Sequence, residues 1–274
     1  MPEFSVQFDL APFEALDQLA LLARQDYNLG GTGDWFGEFR GGLYGCYARL
    51  YGVQQHYFEV HAWLPRVRIP TDIEYHLASI LFQMDSALEC LTFALNAFGW
   101  IVMPLGFRDV TDATALKRIE PSDILGDTRT TPPKSSRAGY QAVFPTVQRT
   151  WLNEQELIDQ IRDLHDVSKH RQTIFVGGQG RLDAPDGFYE ALGLAENDPR
   201  SARFSPMAEI ILKEDPKLPS VLRTSKAVRR GELLEDLVPS FAALINATGR
   251  AALGDAQANV PLKENQFRER QLAG

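Results

Sequence analysis

The longest helical pattern in the chain lies between Thr71 and Gly99. Ile73, Leu77, Ile80, Leu81, Met84, Leu88, Leu91, Leu95 and Phe98 recur at the spacing that lines one face of an α-helix. Thr71-Asp-Ile-Glu74 has the form of a capping box, in which the threonine oxygen takes an orphan N–H and the glutamate reaches back. Pro70 precedes it and Gly99 stops it. Such a segment makes about seven turns. One apolar face of that length has to be covered, so it predicts the central helix of a bundle. Glu74, His76, Asp85, Glu89 and Asn96 interrupt the apolar run and argue against a membrane span.

Other helices follow from the same periodicity. Phe13, Leu16, Leu19, Ala20 and Ala23 form a stripe over about Pro12–Tyr27, and Gly30-Gly-Thr-Gly33 ends it. Residues 34–64 are ambiguous. Gly37, Gly41, Gly42, Gly45 and Gly52 each cost a helix ~1 kcal/mol relative to alanine. Phe36, Phe39, Leu43, Tyr47, Leu50, Gln54, Phe58 and His61 nevertheless step by three and four. Gly41, Gly45, Ala48 and Gly52 make a second row, small enough for a neighbouring helix to approach closely. The reading is a helix, with a pair of strands as competitor. A fourth helix should start near Asn153, with Glu156 three residues on, and end near Arg171–Gln172. A last one spans about Glu232–Leu253, with Leu234, Leu237, Val238, Phe241, Leu244, Ile245 and Thr248 inward and a kink at Pro239.

Residues 100–150 hold Pro104, Pro121, Pro132, Pro133 and Pro145 and no sustained period. They read as an irregular lid or insertion, with short strands at Trp100–Leu105 and Tyr140–Val147. Thr173–Val176 reads as extended, Gly187–Leu194 as a short helix and Met207–Leu212 as strand or helix. The fold expected is mostly α: a bundle of four or five long helices with a long irregular insertion and a few short strands. It forms one domain over residues 1–255, followed by a frayed tail at 256–274.

At 274 residues and 44% hydrophobic, the chain can build a real core. Its net charge of −8 argues against a general polyanion binder, so nucleic-acid contact would need a local basic patch. Cys46 and Cys90 have no ligand spacing and read as buried thiols in a reducing cytosol. With no basic leader visible, the expected location is cytoplasmic, away from membranes.

Chemistry is densest in Ile161–Arg171, where eleven residues carry two histidines, two arginines, a lysine and two aspartates. Arg162, Asp166, Lys169 and His170 lie towards one side of the expected helix, and His165 sits near its apolar edge. An arginine fork with a histidine that titrates near neutrality suits a phosphate. The competing reading is a solvated face whose basic end complements the helix dipole.

The helix Tyr75–Asn96, followed by one reading Ile161-Arg-Asp…Lys-His-Arg171, resembles the HEPN superfamily of small helical bundles over roughly residues 70–175. The resemblance implies either a binding module, of a bacterial stress or defence system, or a metal-independent ribonuclease. The nuclease would be a homodimer that brings an Arg/His pair from each copy onto RNA. Arg162 followed by polar Asp163 fits that pattern; seven residues separate Arg162 from His170, one more than the pattern has. Arg162 and His170 would be catalytic, with His165 as the spare. Lys169, Arg171, Arg223, Lys226, Arg229 and Arg230 would bind RNA phosphate, and Arg129, Lys134, Arg137 and Arg149 form a second basic stretch.

A metal-carboxylate oxidoreductase using Asp85, Glu89, Asp159, Asp163, Asp166 and His170 ranks below both, because the Glu-x-x-His spacing is missing. No cofactor or metal is expected. Gly177-Gly-Gln-Gly180 lacks the Lys-Ser/Thr of a phosphate loop. The favoured reading is a helical binding or interaction module, with a second copy, a protein or RNA as partner. Tyr44, Tyr47, Tyr51 and the small-residue row are the surface for self-association.

Overall fold

The protein is mostly helical. A computed structural model describes residues 6–26, 34–63, 70–126, 135–170, 174–177, 221–224, 232–260 and 262. Among the described residues, α1 (Ala11–Asp26) is followed by the longer α2 (Trp35–Trp63) and α3 (Pro70–Trp100) and, later in the chain, by α9 (Leu234–Asn259). Between them lie α4 (Ala113–Leu116), α5 (Ser122–Leu125), α6 (Ala138–Val143), α7 (Pro145–Asn153) and α8 (Gln155–His170). Three short segments, β1 (Ile174–Gly177), β2 (Val221–Thr224) and β3 (Glu232–Leu233), pair antiparallel in that order.

Two compact units can be distinguished. One comprises Gln7–Leu50, Met84–Asp159 and Ala242–Gly274; the other comprises Met1–Val6, Tyr51–Gln83 and Gln160–Phe241. In the unit containing α1, Phe13, Leu16, Leu19, Ala20 and Ala23 are all buried, as their spacing predicts. Phe98 stacks on Trp35 at 5.9 Å and meets Phe39 at 5.3 Å. Gly42 lets α2 approach α3 closely: a Cβ there would lie 2.7 Å from the Ala94 nitrogen. In the unit holding β1–β3, Val53, Tyr57, Val60, Leu77, Ile80, Leu81 and Ile161 are buried. A Cβ on Gly52 would strike the Gln83 side chain at 2.8 Å.

Residues 34–63 settle the helix-or-strand question as helix, since close approach to α3 offsets the glycine cost. The buried row differs from the one expected. It runs Phe36, Phe39, Leu43, Cys46, Leu50, Val53, Tyr57 and Val60. Tyr47 and Phe58 fall off it, and Phe58 is 47% exposed. Gly41, expected to face a neighbour, has nothing among the described residues within 4 Å of where a Cβ would be.

The irregular insertion expected at 100–150 is corrected. Its described residues form a 3₁₀ turn at Pro104–Gly106 and helices α4 to α6, and α7 starts within it. The proposed strands at 100–105 and 140–147 are helix ends, turns and helices instead. The prolines start elements: Pro104 and Pro145 occupy first positions, and Pro121 is the N-cap of α5. Phe107, Ile124, Tyr140, Phe144 and Val147 bury the segment in the core.

Nor does fraying begin at Ala256: α9 reaches Asn259, and Ala256 and Val260 are buried. The fourth helix, expected from near Asn153, is α8, which starts at Gln155 and is described to His170; α7 precedes it and ends at Asn153. The elements expected at Gly187–Leu194 and Met207–Leu212, together with Arg129 and Lys134, lie outside the described residues. By length and composition alone, Tyr75–Trp100 passes for a membrane-crossing helix; half of its most apolar window is buried in the protein.

Candidate functional site

The cluster on α8 is described in part. Arg162 is half-buried, while Asp163 and Asp166 are exposed. His165 is only 8% exposed and stands edge-on to Phe82, with ring centroids 5.6 Å apart. That is the environment of a core histidine, shielded from a substrate in solvent. His170 is the last residue of α8, and its side chain and that of Lys169 lie outside the described atoms. Eight helical positions separate Arg162 from His170, which sets them about 12 Å apart along the axis and about 80° apart around it. One helix therefore presents the two groups at different heights, and one phosphate between them would need a second surface.

Of the basic residues proposed for RNA, Arg171, Lys226, Arg229 and Arg230 lie outside the described residues. Arg223 sits in β2 with its backbone opposite Phe175. Arg149 is exposed on α7. Arg137 is committed within the protein: its Nε lies 3.7 Å from Asp123 Oδ1 and its backbone N–H donates to the Asp123 carbonyl at 2.8 Å. Among the described residues no three His, Cys, Asp or Glu side chains come together to hold a metal ion.

Periodicity had no means of finding the Asp123 constellation. Arg108 forks onto the carboxylate, Nε donating to Oδ2 at 2.6 Å and the second nitrogen to Oδ1 at 2.7 Å. That hydrogen bonding raises the guanidinium pKa, against the lowering by burial. Asn96 on α3 holds the Arg108 backbone at both ends, accepting from its N–H at 2.9 Å and donating to its carbonyl at 3.0 Å. Tyr140 donates to the Thr92 carbonyl at 3.1 Å. The carboxylate is occupied on both oxygens, so the network ties α3, α5 and the 108–112 turn together and is not shaped as a ligand site.

The surface best suited to binding is one row of α2. Gly41, Tyr44, Ala48, Tyr51, Gln55 and Phe58 are all exposed, at steps of three and four, and none is charged. Tyr44, Tyr51 and Phe58 are 46%, 64% and 47% exposed. Tyr44 takes a hydrogen bond from Arg40, which is itself paired with Asp17 at 3.0 Å. Tyr47, expected on this surface, is half-buried and packs edge-on against Phe13 at 6.4 Å; its hydroxyl has no hydrogen-bond partner among the described residues. Counting every uncharged position on the far side of the buried row would have found Phe58 and Gln55 from sequence. No family model, curated protein or solved structure matches the chain.

Proposed function

We propose that this chain is a helical interaction module, HEPN-like in the sense the sequence suggested, that works by pairing with a second copy of itself along α2. The observation that carries this reading is the uncharged exposed row, in which aromatic residues alternate with Gly41, Ala48 and the amide Gln55. An exposed row with that alternation complements itself. An antiparallel two-fold pair centred between positions 49 and 50 sets Gly41 opposite Phe58, Ala48 opposite Tyr51 and Gln55 opposite Tyr44 of the second copy. Each ring then enters a hole made by a small side chain or meets an amide, which is knobs-into-holes packing about an isologous axis. The space over Gly41 is open. Area supports the same occupant. At roughly 200 Å² per ring, about half of it exposed, the six aromatics of the pair would remove about 600 Å², half of the ~1,200 Å² of a small stable interface, before their neighbours are added.

Light scattering on the full chain tests this. The wild type should be a dimer at micromolar concentration and Tyr51→Asp a monomer with an unchanged circular dichroism spectrum. Gly41→Leu should also give a monomer, yet one that melts higher, since it removes a helix glycine in open space. A monomeric wild type at 100 μM (about the top of that range) would overturn the reading. RNA cleavage in EDTA, lost in His170→Ala, would favour the ribonuclease in its place.

A further inference from the structure

A pair of histidines in the unit that contains β1–β3 has no part in the reading above. His56 on α2 and His76 on α3 face each other with their Nδ1 atoms 2.9 Å apart. Both rings are half-buried, so water reaches them. Tyr75 flanks both, edge-on to His56 at 5.8 Å and to His76 at 5.2 Å. At that distance the two ring nitrogens share a hydrogen bond. In the metal-free pair one Nδ1 must carry a proton and donate it to the other. Both rings cannot be charged at that separation without strong repulsion. What the pair accommodates is a single cation held between two neutral rings.

We propose that His56 and His76 form a two-histidine site for a divalent transition-metal ion of tetragonal preference, copper(II) or nickel(II) in kind. The distance selects the geometry. An ion about 2.05 Å from two nitrogens 2.9 Å apart subtends about 90° between them. That is the cis angle of a tetragonal or octahedral ion. A tetrahedral ion at the same bond length needs the nitrogens about 3.3 Å apart, so zinc fits less well. Loading requires only that the donating ring move its proton to Nε2, and water completes the coordination. Glu59, one turn beyond His56, adds negative charge that favours a cation there; its field acts on the His56 ring. The site is independent of the α2 pairing, since neither histidine belongs to the exposed aromatic row.

Calorimetry and electron paramagnetic resonance on the full chain test the site, with copper(II) as the probe, added in a buffer that offers it no nitrogen ligand. One copper per chain is expected, with hyperfine coupling to two nitrogens. Each of His56→Gln and His76→Gln should weaken binding at least tenfold and leave coupling to one nitrogen of the pair. Nickel(II) should bind more tightly than zinc(II). Glutamine keeps these half-buried positions polar, and an unchanged melting temperature will show that the variants are folded. Equal copper affinity in the wild type and in the double variant, or a two-nitrogen signal that survives in either single variant, would overturn the proposal.

Discussion

Asp123 shows how much one side chain settles. Its carboxylate is 6% exposed and takes both arms of the Arg108 fork. Removing one partner of a buried pair leaves the other charge without compensation, a larger loss than the pair itself is worth. Asp123→Ala should lower stability by about 3 kcal/mol in urea unfolding. Arg137→Ala, which removes a longer and more exposed contact, should cost under about 1 kcal/mol. At this scale the sequence was half legible. The apolar steps of α1 and α3 placed their core residues, because a long regular pattern tolerates no other register. On α2 there were two slips, Tyr47 in place of Cys46 and Gln54 in place of Val53, and the second carried Phe58 to the wrong side, since Tyr and Phe suit a buried row and an exposed aromatic row equally well. Arg137 read as part of a basic patch because its partner acid lies 14 positions earlier, and no local rule joins them.

Among the elements, α7 does not cap its own start. Phe144 stands at its N-cap and offers no side-chain hydrogen bond. The capping carboxylate comes instead from α9: Asp255 Oδ2 accepts from the N–H groups of Thr146 at 2.8 Å and Val147 at 3.0 Å. One turn on, Asn259 donates to the Val143 carbonyl at the end of α6 at 2.9 Å. Trp151, fully buried on α7, donates to Thr248 at 3.0 Å. Asp255→Ala should cost about 1–2 kcal/mol, the scale of a lost cap. Hydrogen exchange at Thr146 and Val147 should speed up in that variant, and unchanged exchange there would count against the tertiary cap. This borrowing explains why residues 100–150 looked irregular. Their helices run from 4 to 9 residues, too short to show a period; Asp112 caps α4 locally, but the end of α6 and the start of α7 are satisfied from far along the chain.

For the molecule as a whole, the buried thiol sets an alkaline limit. Cys46 is wholly buried, and burial, with the nearby Cys90, pushes its pKa far above the ordinary range. Below the unfolded thiol's pKa of ~8.5 neither state is ionised and the stability is fully present. Above it the unfolded chain releases a proton that the folded chain keeps, so stability falls as pH rises, by about 1.4 kcal/mol per unit. Burial raises Tyr140 in the same direction. The urea midpoint should therefore decline above about pH 9, and Cys46→Ala should flatten the first part of that decline. An identical slope in the variant would assign the effect elsewhere. The mostly helical character was plain from periodicity, whereas the two compact units and the Asp123 network depend on pairings between distant segments.

The bond from Asp255 to the start of α7 spans 109 positions. During synthesis the amides of Thr146 and Val147 emerge long before the group that receives them exists. Until the C-terminal helix arrives, this corner has only water for a partner. Any shortened product that stops ahead of Asp255 keeps the α7 sequence but loses what anchors its beginning. The order of events in folding is thus written into which end of the molecule holds the clasp.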